Sequence, residues 1–374
     1  MKQVYLDNAA TTSLRPEVIA EMIKVLSEEY GNPSSTYSVG RRAKSLIEAS
    51  RKSIAKQLKV SSSEIIFISC GTEANNWIIR SAVRDLKVQR IITSKMEHHA
   101  VLYAAKQMQR EYDIDLEFVN ILPNSEIDYA QLERLLADEI PTLVSLMHVN
   151  NEVGTELDLK RVAELCQKHR ALFHCDTVQS VGKTEMDLQE LPIDFIVASA
   201  HKFHGPKGIG FAFIRKNNVL KPMIFGGEQE KGMRAGTEAV HQVVGMAKAF
   251  EISYENLEVE RDHIRAIKNY CQTKLKEVFP EVSFNGNQTG FYNIVNVSLP
   301  LSEEKAAMML FQLDMKGIAV SRGSACQSGS QKPSHVLSEF LSEAELKKPS
   351  LRVSFSHETT CEDIDILIEV LQGV

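Results

Sequence analysis

The chain has 374 residues, 43% of them apolar and 25% charged, and a formal net charge of -6 at neutral pH with acids and bases interspersed. That length supports a large core divided between two domains, and the mixed charge gives no footing for nucleic-acid binding through the phosphate backbone. No apolar run is long enough to cross a membrane and Met1–Val4 leads straight into a motif, so neither a signal peptide nor a membrane partner is expected and the reading is cytoplasmic.

In chain order, Ile65-Ile66-Phe67-Ile68 is an apolar strand that meets Gly71-Thr72, after which a helical pattern begins. A helix start presents unpaired N–H groups and a positive dipole end, which suits a phosphate; the same residues also serve as a plain strand-to-helix turn. Strands follow over residues 90–93 and 142–148, a helix over 159–170, and a further strand from Ala171 that runs into Asp176, with Gln179 three positions on. Asp194 to Ala198 reads as a central strand and Gly208 to Ile214 as another. Strands alternating with helices between residues 64 and 214 predict a doubly wound α/β sheet. After Thr237 come two long helices, over 239–250 and 257–279. A second domain then holds a strand at 293–298, a helix opening near Ser302, a strand-like run at 316–320, a strand at 351–355 and a last helix from Glu362. There is no internal repeat and no low-complexity segment.

Lys202 falls where the strand 194–198 gives way to a polar and glycine-rich turn. A lysine deprived of hydration has a lowered pKa, and its neutral amine is a nucleophile toward an aldehyde. Asp176 ends a neighbouring strand, and together with Gln179 it can face one bound ring. Pyridoxal phosphate needs such a carboxylate, because a protonated pyridinium is the electron sink for carbanion chemistry. At an effective dielectric near 20, a charge pair ~4 Å apart is worth about 4 kcal/mol, enough to hold that proton with one aspartate.

Six cysteines in so long a chain do not make a disulfide framework, and no Cys-x-x-Cys or Cys/His spacing marks a zinc site, so no metal is expected. Cys70, Cys166, Cys175 and Cys271 read as packing residues, and Cys361 opens the last helix. Cys326 differs: residues 321–332 are rich in Gly, Ser and Gln without an apolar face, so its thiol reads as exposed. The thiolate form is intrinsically very nucleophilic.

Tyr5 to Thr12, Gly31 to Ser35, Gly71 to Asn76, Glu97-His98-His99, Asn150 to Thr155, the Lys202 segment, Gly226 to Glu230, Arg234 to Thr237 and Ser321 to Cys326 together resemble the cysteine desulfurases. These belong to the class V aminotransferase-like group of pyridoxal phosphate enzymes, and the resemblance runs in order over almost the whole chain. It implies the fold type I architecture, with a large cofactor-binding domain at 13–258 and a small domain formed by 1–12 and 259–374. It also implies that Lys202 links covalently to pyridoxal 5'-phosphate, Asp176 pairs with the ring nitrogen, Gln179 bonds the ring hydroxyl and His98 stacks on the ring. By the same resemblance Gly71, Thr72, Ser199 and His201 bind the phosphate, with Thr237 supplied across a homodimer interface. Asn150 and Arg352 match contacts to the substrate carboxylate, and guanidinium suits such a clamp better than an amine. Asn150 and Asn151 are adjacent, which leaves their relative roles open.

The implied reaction converts L-cysteine to L-alanine, with sulfur passing to a Cys326 persulfide and then to an acceptor protein for iron–sulfur cluster assembly or tRNA thiolation. Two positions depart from the family pattern: Thr177 stands where alanine is common, and Cys70 where glycine is usual. The competing readings are a selenocysteine or cysteine C–S lyase that does not depend on Cys326, and a non-catalytic scaffold that keeps the fold.

Overall fold

The computed structural model describes residues 3–287, 289–322 and 334–373, apart from the side chains of 303–307. The strands in chain order are β1 (Val4–Tyr5), β2 (Ile65–Ile68), β3 (Arg90–Ser94), β4 (Asp115–Val119), β5 (Thr142–Met147), β6 (Leu172–Asp176), β7 (Phe195–Ser199), β8 (Gly210–Ile214), β9 (Ser283–Asn285), β10 (Ile294–Ser298), β11 (Ile318–Ala319) and β12 (Ser350–Ser354). Seven of them form one sheet in the order β2-β8-β7-β6-β5-β3-β4, in which β8 alone runs antiparallel to its neighbours.

Apart from the edge strand β4, this sheet is buried on both faces, which explains why its strands read as unbroken apolar runs rather than as alternating ones. In β2, Ile65 and Phe67 join the cluster that contains Val243, Met246 and Phe250 of the helix Val240–Glu255. Ile66 and Ile68 point the other way, onto Trp77 and Ile78 of the helix Gly71–Arg84 and Val101 of the helix His99–Tyr112. The same split recurs in β7, where Ile196 and Ala198 face one cluster and Phe195 and Val197 the other. Crossover helices on both faces leave the carboxyl ends of the parallel strands open at one edge, where ligands of such sheets gather.

A second core gathers Ile264, Ile267, Cys271 and Leu275 of the helix Leu257–Val278, Val295 and Val297 of β10, Leu351 and Val353 of β12, and Leu367 and Leu371 of the helix Cys361–Gly373. Val4 and Leu6, from the start of the chain, belong to it as well. β1 pairs in parallel with β11, and the N–H groups of Asn8 and Ala9 bond to Ser354 at the end of β12.

The strand expected over 316–320 is shorter, because the preceding helix Glu303–Met315 ends late. Lys316 N–H still bonds back to Gln312 and Leu313, and Gly317 takes a left-handed φ of 76° before the chain extends. β4 and β9 were not foreseen: β4 is an edge strand with exposed Asp115 and Glu117, and β9 has three residues.

Candidate active site

A cleft of about 910 Å³, partly open to solvent, lies beyond the carboxyl ends of β2, β5, β6 and β7. It brings together Gly71, Thr72, His98, Asp176, Gln179, Ser199, His201, Lys202 and Arg352. Each strand delivers its residue by ending there: β6 stops at Asp176, β7 at Ser199, and one turn of 3-10 helix after β7 carries His201 and Lys202.

The Lys202 ammonium donates to the carbonyls of Ala9 at 2.7 Å and Ala10 at 2.8 Å. These main-chain acceptors come from the N-terminal strip, so the strip is one wall of the cleft. Gln179 Nε2 donates to the same Ala9 carbonyl at 2.9 Å, while its Oε1 is buried without a partner among the described residues. Asp176, only 6% exposed, accepts from Asn75 Nδ2 at 2.7 Å and from the Val178 N–H at 3.0 Å. Those two donors fix the carboxylate plane.

The helix Gly71–Arg84 begins with no side-chain cap: at the N-cap position the Cys70 carbonyl accepts from the Ala74 N–H, but its thiol bonds no N–H of the first turn. A Cβ on Gly71 would lie 2.7 Å from Val178 Cγ2, so glycine is what lets this helix start pack beside the residues after Asp176. Cys70 lines the cleft, half-buried, with Ser69 Oγ donating to its sulfur at 3.6 Å. Thr177 has a fixed place of its own: its hydroxyl donates to the Val197 carbonyl of β7 at 2.7 Å, fully buried.

His98 caps the helix His99–Tyr112, its Nδ1 accepting from the Ala100 N–H at 3.1 Å. Burial lowers its pKa against the opposing pull of Asp176, so the ring is neutral at pH 7 and its proton sits on Nε2. His99 stacks between Tyr103 and His335, at 4.8 and 4.5 Å. His201 is held down to about 4, by burial first and then by the charges of Lys202, Lys207 and Lys183, and its Nδ1 lies 3.1 Å from Thr11 Oγ1.

Arg352 is 1% exposed; its Nη2 donates to Asp7 Oδ1 at 2.6 Å and its Nη1 to the Asn151 carbonyl at 2.9 Å. Asn150, expected beside it, faces elsewhere. Its Nδ2 donates to the Met96 carbonyl at 2.9 Å and its Oδ1 accepts from the N–H groups of Glu152 and Val153, which commits the side chain to a buried turn. Asn151 lines the cleft in its place. Thr237 sits on an exposed stretch away from this cleft, and Cys326 lies outside the described residues.

Sequence reasoning missed three contributors. Asn75 gives no signal on its helix until the end of β6 is known to lie beside it. The carbonyls of Ala9 and Ala10 have no side-chain signature at all. Glu97 is 1% exposed and accepts the Met147 N–H at 2.9 Å at the end of β5, and burial pushes its pKa well above the usual carboxylate value.

The class-V aminotransferase family matches residues 4–367. A cysteine desulfurase IscS of Clostridium botulinum is 37% identical over 376 residues, covering 100% of this chain and 94% of that protein. Among solved structures, a NifS-like protein superposes with a TM-score of 0.91 at 33% identity, covering 100% of this chain and 99% of the other. SspA in complex with cysteine superposes at 0.81 with 29% identity, covering 96% and 100%. With the sheet order and the cleft at its strand ends, this likeness along the full chain makes the protein a member of the class-V aminotransferase family and, within it, a cysteine desulfurase.

Proposed function

We propose that the enzyme binds L-cysteine in this cleft, releases L-alanine and passes the sulfur through Cys326 to an acceptor protein of iron–sulfur assembly or tRNA thiolation. The observation that carries the reading is the convergence of Lys202, Asp176, an uncapped helix start and Arg352 on one cleft. The likeness to a protein solved with cysteine supports the substrate.

The residues present fit pyridoxal phosphate: a carboxylate held by two donors, a Gln179 Oε1 buried without a partner among the described residues, and a helix start that no side chain caps, all lining one cleft. Bound there, the cofactor supplies an aldehyde for the substrate amine and an electron sink for negative charge at Cα. Thr72, Ser199, His201 and the N–H groups after Gly71 take the phosphate. Asp176, oriented by Asn75, keeps the ring nitrogen protonated. Thr237 serves the phosphate site of a second copy, which makes the working unit a homodimer.

Lys202 Nζ holds the cofactor at rest and then takes the proton from Cα of the substrate. The Ala9 and Ala10 carbonyls, both neutral, hold its Nζ at the cleft wall. His98 offers its Nε2 proton from a ring held neutral and fixed by its cap. Arg352 and Asn151 orient the carboxylate. The Cys326 thiolate then forms an S–S bond to the substrate sulfur as the C–S bond breaks, the bonding pair staying on Cβ, where a proton completes the alanine side chain. A thiol that must stay reduced fits a cytoplasmic enzyme.

The test is production of L-alanine and protein-bound persulfide from L-cysteine by the holoenzyme beside Cys326→Ala. The reading expects both products from the native protein and neither from a variant that keeps its yellow colour. Alanine and free sulfide released by the variant at the native rate would replace it with a C–S lyase.

A further inference from the structure

The guanidinium that faces the substrate carboxylate is already neutralised. Asp7 stands behind it, outside the cleft lining, with Oδ1 on Arg352 Nη2 at 2.6 Å and Oδ2 accepting from Ser321 Oγ at 2.7 Å. Backbone bridges fix where the three residues stand, Asp7 against Ser354 and Ser321 against Arg352, and the side-chain bonds to Ser321 and Asn151 fix how the carboxylate and guanidinium are turned. Of the five guanidinium N–H groups, Asp7 and the Asn151 carbonyl take two, and Nε–H has no partner among the described residues.

We propose that Asp7 is a positioning residue that fixes the plane of Arg352 and, by cancelling its charge, sets how tightly the cleft holds a carboxylate. The proposal rests on Arg352 being the contact for the substrate carboxylate. A lone buried arginine attracts any carboxylate with its full charge, the alanine product as strongly as the cysteine substrate. With Asp7 in place an incoming carboxylate meets an ion pair of zero net charge, so geometry holds it and little electrostatic energy opposes its release. Orientation and charge are separable, because an amide in place of Asp7 still accepts from Nη2 but no longer repels a second carboxylate.

The experiment is calorimetric titration of the holoenzyme with L-alanine and with ethylamine, which has the amine but no carboxylate. Asp7→Asn is expected to bind L-alanine on the order of tenfold more tightly and ethylamine unchanged. Asp7→Ala, which also frees the guanidinium plane, is expected to bind L-alanine less tightly than Asp7→Asn. Asp7→Asn binding L-alanine no more tightly than the native protein, or gaining equally for ethylamine, overturns the proposal. Should the variants not fold, the native enzyme still decides: its preference for L-alanine over L-alaninamide is expected to stay under about tenfold, and a preference beyond about a hundredfold would show an uncompensated arginine. Arg352→Gln separates the two layers, since unchanged L-alanine binding there would remove Arg352 as the clamp whatever Asp7 does.

Discussion

Replacing Glu230 by glutamine tests whether one buried ion pair holds up the segment that carries Thr237. Arg51 and Glu230 are each 2% exposed and joined by two bonds of 2.7 Å, Nη1 to Oε2 and Nη2 to Oε1. Glu230 Oε2 also accepts from the Phe67 N–H of β2 at 2.7 Å, and Arg51 lies 4.5 Å above the Phe67 ring. Glu230 and Lys231 occupy the left-handed region, with φ of 47° and 59°, so the ion pair offsets backbone strain as well. Glutamine keeps an acceptor for Phe67 but leaves the buried guanidinium with only the half-exposed Glu48 carboxylate, 3.2 Å from its Nε, as counter-charge, at a cost of about 3–5 kcal/mol. With an unfolding entropy of about 2.1 cal/mol/K per residue, a 374-residue chain melting as one unit changes by ~0.8 kcal/mol per degree, so Tm should fall by about 4–6 °C. Differential scanning calorimetry of Glu230→Gln, and of Glu230→Gln combined with Arg51→Met, reads this directly. The double variant, with no stranded cation, should recover part of the loss. A single variant within about 1 °C of the native protein, or a double variant that melts lower still, would refute the account.

Two further outcomes follow from the site. Asn151→Ala should raise KM for L-cysteine with little change in Tm, whereas Asn150→Ala, which strips three bonds from a buried turn, should lower Tm with KM nearly unchanged; kinetics and melting on both variants check it. His201 is held down to about 4 and His174 and His204 to about 3, in each case chiefly by burial. The unfolded chain therefore takes up protons below about 6.5 that the folded one refuses, so stability is full above that pH and falls steadily toward pH 4. Urea midpoints measured from pH 7.5 to 4.5 should decline over that range, and a midpoint that rises on acidification would contradict the burial of these rings.

The strand ends were legible because buried strands are written as runs of β-branched and aromatic residues, and a polar residue that breaks such a run marks where the sheet opens. Asp176 and Ser199 announce themselves in that way. The choice between Asn150 and Asn151 was not legible, since a tight turn sends neighbouring side chains in opposite directions and only the partners of each decide which faces inward. Asn75 acts through a strand about a hundred residues away, and Ala9 and Ala10 act through main-chain oxygens that any residue would supply. β4 was missed because an edge strand with one solvated face lacks the apolar run that marked the others.

The N-terminal strip has a consequence for how the enzyme comes into being. Residues 7–10 furnish the Lys202 acceptors and the Arg352 counter-charge, yet the strip is held through Ser354, which emerges from the ribosome about 350 residues later. Contacts of that sequence separation form late. The strands of the large sheet all lie before residue 215, so that sheet can assemble early, but the cleft gains its wall only after β12 has been made and joined to the strip, so a chain cut before β12 has Lys202 without Arg352.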